Sequence, residues 1–135
     1  MRHLTLDVEN TTVKRNGKLH LDPFEPDNTL VMVGMLEDNG VETIVTFDHA
    51  DHAPTPNGHR IVQDALDNTS LLIAHNAPHD LLWLWESGFT YDGNVYDTML
   101  GEYVLQRGQK QPLSLEACAE RYELDTKKQD TLKEY

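Results

Sequence analysis

The 135-residue sequence has one cysteine, few basic residues and no long apolar run, and each shortage excludes something. With Cys118 alone, no internal disulfide can form, which agrees with a reducing compartment. No stretch approaches the roughly eighteen consecutive apolar residues of a membrane helix, and the start has no basic segment followed by an apolar one. No membrane partner is expected, and the expected location is the cytoplasm. Lys and Arg number 11 against 23 Asp and Glu, a net charge of −12. Such a chain is poorly suited to gripping a nucleic-acid duplex by its phosphates. It could still handle one or two nucleotides if metal ions supplied the positive charge. The length allows one domain with a real core, and 39% hydrophobic content places it among globular proteins.

What is present begins with HLTLDVEN, residues 3–10. Leu4, Leu6 and Val8 alternate with His3, Thr5, Asp7 and Glu9, the period-two pattern of a strand with one buried face. Asp7 and Glu9 therefore stand together on the other face, about 6.5–7 Å apart at Cα. Like charges repel and acids are poor strand formers, so the pair is a local cost that asks for a use. Two readings are open: a strand running out into solvent, or a site for a hard divalent cation that prefers several oxygen ligands.

The run from Thr11 to Asn28 is polar and turn-rich, with a turn at Asn16-Gly17, and reads as a loop or loose hairpin. Thr29 to Leu36 and Val41 to Phe47 read as strands joined through Asp38-Asn39-Gly40. Together with the first strand they form an antiparallel three-stranded meander. The stretch DHADHAPTPNGHR, with His49, Asp51, His52 and His59, reads as a surface loop rather than a metal cluster. HRIVQDALDN has helical spacing and TSLLIAHN is a short buried strand, which together make a parallel crossover. APHDLLWLWESGF opens with Pro78 in a first helical turn and closes at Gly88; apolar on nearly all sides, it predicts a well-buried helix. A brief extended segment and a helix from about Thr98 to Arg107 follow. A last helix in SLEACAERYEL has Ser114 as N-cap and Leu115, Cys118, Ala119 and Tyr122 on one face.

Two further features carry chemistry. In HNAPHD, Asn76 and Asp80 stand four apart at a strand-to-helix junction, where rigid elements would fix both. A first-turn carboxylate also suits the helix dipole without any further role. His75 and His79 read as polar residues at the strand end and the helix start. In VYDTM, Asp97 stands where an extended segment turns into a helix, the place of an N-cap.

The order Asp7-Val8-Glu9, Asn76-x-x-x-Asp80 preceded by His75, and Tyr96-Asp97-Thr98 resembles the proofreading 3′–5′ exonuclease domain of DNA polymerases, the DEDD nuclease superfamily. LSLEACAERY resembles the helix before that family's third motif, and the family-A polymerases of bacteriophages look closest. The resemblance spans nearly the whole chain. It implies an α/β ribonuclease H-like fold, a mixed sheet whose meander is followed by parallel βαβ crossovers and flanking helices. It also implies hydrolysis at a single-stranded 3′ end of DNA with two Mg²⁺ or Mn²⁺ ions, in the host cytoplasm if phage-encoded. By that resemblance Asp7 bridges the two ions, Glu9 binds the one that activates water, and Asp80 acts on the other through a bound water. Asn76, Asn10, Thr11 and Asp97 take the substrate-binding positions.

The family's third motif, a Tyr-x-x-x-Asp or a His with an Asp five residues on, is not met after Asp97. Tyr122 has Asp125 only three positions on, Tyr103 has none, and Asp130 has no tyrosine four before it. The expectation is an N-terminal fragment whose polymerase remainder lies C-terminal, inactive by itself. Two alternatives compete: a stand-alone DEDD ribonuclease of the oligoribonuclease or RNase D type, and a noncatalytic module that keeps the fold.

Overall fold

The computed structural model describes residues 2–47, 49 and 53–125. Asp51, His52 and Asp130, weighed above, lie outside them. His3–Asn10 forms β1, whose Leu4, Leu6 and Val8 are buried while Asp7 is exposed, as the alternation requires. Val13–Arg15 (β2) and Lys18–His20 (β3) make a separate two-stranded hairpin. Its turn residues Asn16 and Gly17 both have positive φ, 53° and 77°, the backbone a tight two-residue hairpin demands. The loose hairpin read from the sequence is thus an ordered one.

Leu30–Glu37 (β4) and Glu42–Thr46 (β5) complete the meander, with Leu6 opposite Met35, Asp7 opposite Gly34, and Val33 opposite Val45. Gly58–Asp67 (α1) then returns the chain to Leu71–Ala74 (β6), which pairs parallel with β1 through Leu4↔Leu72 and Thr5↔Ile73. Ala77–Glu86 (α2) leads to Asn94–Asp97 (β7), parallel to β6. Thr98–Leu105 (α3) and Leu115–Arg121 (α4) follow. The order β5-β4-β1-β6-β7 makes one mixed sheet, antiparallel on one side and parallel on the other.

One face of that sheet is dry. Leu4, Leu6, Val8, Val33, Met35, Val45 and Leu72 pack with Val62 and Leu66 of α1 and with Trp83 and Leu84 of α2. Here the sequence expectation for α2 needs correction. The helix is not covered all round: Leu82 is 37% and Trp85 51% exposed. Apolar composition shows that a helix seeks cover, but which side receives it depends on neighbours far away in sequence. The helix predicted to reach Arg107 ends at Leu105, and Arg107 and Gly108 both take positive φ in the turn that follows.

Candidate active site

Because β1, β6 and β7 run parallel, their carboxyl ends lie along one sheet edge, the place where open α/β sheets gather ligand-binding residues. Asp7 and Glu9 come from the end of β1, Asn76 and Asp80 from the turn and helix after β6, and Asp97 from the last position of β7. Thr5↔Ile73 is the last pair between β1 and β6; two residues further on stand Asp7 and His75.

The connection from β6 to α2 is sharp. Asn76, the N-cap of α2, takes a left-handed backbone (φ 65°, ψ 57°), which asparagine tolerates better than most residues. Its N–H donates to Asp97 Oδ1 at 2.9 Å, and the same oxygen accepts from Met99 N at 2.9 Å. Asp97 is therefore the N-cap expected of it and also a clasp joining the ends of β6 and β7. His75 adds a second clasp, with Nε2 2.6 Å from the Leu113 carbonyl oxygen and Nδ1 2.9 Å from Thr98 Oγ1. A carbonyl only accepts, so Nε2 donates to Leu113, while Nδ1 shares a hydrogen bond with the Thr98 hydroxyl, which also lies 3.4 Å from the Ala74 carbonyl oxygen.

The first turn of α2 meets the end of β1 through His79. Its Nε2 lies 3.1 Å from Asn10 Oδ1, while Asn10 Nδ2 donates to the carbonyls of Thr11 at 2.8 Å and Leu21 at 3.2 Å. Burial pushes the His79 pKa below its ordinary value, and the negative charge of Asp7 opposes that shift. Asp7 is thus near enough to α2 for its field to be felt there. Asp80, one residue on, is only 3% exposed. Thr11 fastens the irregular end of β1: its Oγ1 accepts from Thr29 N at 2.7 Å, beside a register shift at Glu9/Asn10.

The structure therefore gathers the motif residues at one edge and gives Asn10, Thr11, Asn76 and Asp97 demonstrable holding roles. It does not close the acids into a ready cage: among the described residues, no group of three or more His, Cys, Asp or Glu is arranged to hold a metal ion. The donor chemistry still suits a hard cation. Asp7, Glu9 and Asp80 offer only oxygen, and Mg²⁺ typically takes one or two carboxylates plus substrate phosphates rather than an all-protein cage.

One buried group escaped the sequence reading. Glu102 of α3, 8% exposed, accepts from Arg121 Nε at 3.2 Å and Nη2 at 3.0 Å, and from the Tyr122 hydroxyl at 2.8 Å. These contacts lock α4 to α3, and the bond to Glu102 raises the Tyr122 pKa. No local signal marks the pair, which is separated by 19 residues; only the polar residues within an apolar helix hint at it.

A five-stranded mixed sheet in this order, with its flanking helices, is the ribonuclease H-like exonuclease fold. No protein-family model and no curated protein matches the sequence. Among solved structures, the chain is similar to Brucella melitensis NrnC with bound Mg²⁺, at 18% identity and TM-score 0.64 over 93% of this chain and 56% of that one. It is also similar to the family B DNA polymerase of the hyperthermophilic archaeon Pyrobaculum calidifontis, at 13% identity and TM-score 0.58 over 93% of this chain and 18% of that one. The chain thus spans just over half the length of NrnC. The polymerase in this comparison is of family B, whereas the sequence resemblance pointed to family A.

Proposed function

We propose that this chain is the N-terminal part of a metal-dependent 3′–5′ exonuclease domain, which removes nucleotides from a single-stranded 3′ end as the proofreading part of a DNA polymerase. The observation that carries this reading is the placement of Asp7 and Glu9, Asn76 and Asp80, and Asp97 along one carboxyl edge of an exonuclease-type sheet. Asp7, Glu9 and Asp80 would hold Mg²⁺ or Mn²⁺; such ions stabilise the attacking and leaving oxygens of an in-line displacement. The chain's own groups do the positioning. Asn10 and His79 tie β1 to α2, Asp97 and His75 fix the turn that delivers Asp80, and exposed Asn76 is offered to a terminal nucleotide. The fourth carboxylate and the group that orients water would come from a segment beyond Tyr135.

The family-A, phage-type assignment rests on the order and spacing of the sequence motifs. A stand-alone DEDD nuclease fits the same fold, and the better superposition on Mg²⁺-bound NrnC than on the polymerase favours keeping it as the second reading. The two readings separate in the longer polypeptide. Under the first, Asp7→Ala lowers 3′ trimming of a 5′-labelled single-stranded oligonucleotide by at least about 10²-fold while nucleotide incorporation continues, since lost transition-state charge stabilisation commonly costs that much. Unchanged trimming would contradict both readings, and trimming without any polymerase activity would select the second.

A further inference from the structure

The acidity of the chain has one local exception. Residues 11–20 carry Lys14, Arg15 and Lys18 and no Asp or Glu, a local charge of +3 in a molecule of net charge −12. This run forms the β2–β3 hairpin, and it leaves β1 directly after the Asp7/Glu9 pair. Resting on the nuclease reading and deepening it, we propose that this hairpin is a docking arm for single-stranded nucleic acid, with Lys14 and Lys18 meeting backbone phosphates and Phe24 meeting a base.

The arm is rigidly held. Arg15 is bound by Glu25 at 2.6 Å and by Asp27, so its charge is spent on fixing the hairpin to the 22–28 loop and is not offered outward. At the base, Trp83 Nε1 and Asn10 Nδ2 both donate to the Leu21 carbonyl, while Asn28 Nδ2 donates to the carbonyls of His20 and Asp22. The same Asn10 holds His79 of α2, so the arm and the candidate active site share an anchor. Lys14 pairs across the ribbon with Leu19, and Lys18 with Arg15. The two exposed lysines therefore stand on opposite faces, flanking the Asn16-Gly17 turn, and a strand passing around the hairpin tip would meet both. Beside them Leu19 is 53%, Leu21 46% and Phe24 63% exposed. Cations interleaved with exposed apolar and aromatic side chains form the surface that single strands favour, since the charges follow the backbone and the ring stacks on a base. The 22–28 loop that carries Phe24 also holds Asp22, Glu25 and Asp27, so the positive charge offered to a strand is that of Lys14 and Lys18 on the hairpin itself.

The test is fluorescence anisotropy of a labelled single-stranded oligonucleotide against the whole chain, with EDTA present, over a series of salt concentrations. In Lys14→Ala/Lys18→Ala, the slope of log K against log salt should flatten by about 1.4, the amount for two lost single-strand phosphate contacts. Lys14→Arg/Lys18→Arg should restore it. Phe24→Ala should weaken binding about fivefold or more with the slope unchanged, as expected for one lost stacking contact. No binding by the wild-type chain, or equal slopes for wild type and the double alanine variant, would overturn the arm. If equal slopes accompanied Asp7-dependent trimming in the longer polypeptide, the arm would fall and the nuclease reading would stand. Flattening in the double variant without metal-dependent trimming by any form would support the arm and remove the nuclease reading.

Discussion

The two faces of the five-stranded sheet are built for different ends. On one, Leu4, Leu6, Val8, Val33, Met35, Val45 and Leu72 disappear beneath α1 and α2. On the other, Asp7 is exposed, and Leu36 and Ile44 remain 41% and 64% exposed. Tyr96 of β7 also lies on that open side, 52% exposed and backed by Gly101 of α3. A single strand, β1, contributes to both. Its even-numbered residues fill the core and its odd-numbered acids lie on the other face, so a costly charge pair persists without disturbing the core. Stability and candidate chemistry are separated by nothing more than the pleat.

Substitution on each face breaks or sharpens that contrast. The largest effect belongs to the covered face: Leu72→Ala, at a fully buried position, should lower unfolding free energy by about 2–5 kcal/mol in chemical denaturation followed by circular dichroism. Ile44→Ala, on the open face, should change it by no more than about 0.5 kcal/mol. Equal losses would mean that the open face is covered in solution.

At the edge where the faces meet, Asp97→Ala removes an oxygen that accepts two backbone N–H groups. The expected destabilisation is about 1–2 kcal/mol, that of a strong N-cap. Amide exchange should quicken at Asn76 and Met99 before it does in β1. Unchanged exchange at Asn76 would show that Asp97 does not hold the turn.

The smallest effect is a pH dependence. His79 has its folded pKa lowered by burial, so the unfolded chain binds the proton more readily. Its contribution to stability is then fully present above the unfolded value near 6.5 and is lost as pH falls below that value. Thermal midpoints of wild type and His79→Gln, measured from pH 8 to 5, should converge as the pH falls. A wild-type advantage that grew on acidification would reverse the sign and refute the assignment.

These residues also show what a sequence discloses. The alternation in β1, the Asn-Gly turn, the Ser114 and Asp97 caps and the crossover through α1 are short-range patterns, legible because each is set within a few residues. Their order gives antiparallel strands followed by alternating helices and strands, and the ribonuclease H-like fold follows from the family resemblance of the motifs. What the pattern did not disclose was long-range partnership: Leu113 as the acceptor for His75, Glu102 as the anchor of Arg121 and Tyr122, and the exposed side of α2 at Trp85. Each depends on which distant segments come together, which no local period encodes. The candidate residues stand out as residue types at intervals, whereas the closing of Asp7, Glu9 and Asp80 around a cation is proposed and is not formed by the described residues alone.

That closing is the central claim, and paramagnetic broadening by Mn²⁺ tests it on the chain itself. In a ¹⁵N-labelled sample, substoichiometric Mn²⁺ should broaden the amides of residues 7–10 and 77–81 together, and Asp7→Asn should abolish both effects at once. Broadening confined to one of the two segments, or centred on unrelated surface acids such as Asp38 or Asp92, would contradict a shared cation site.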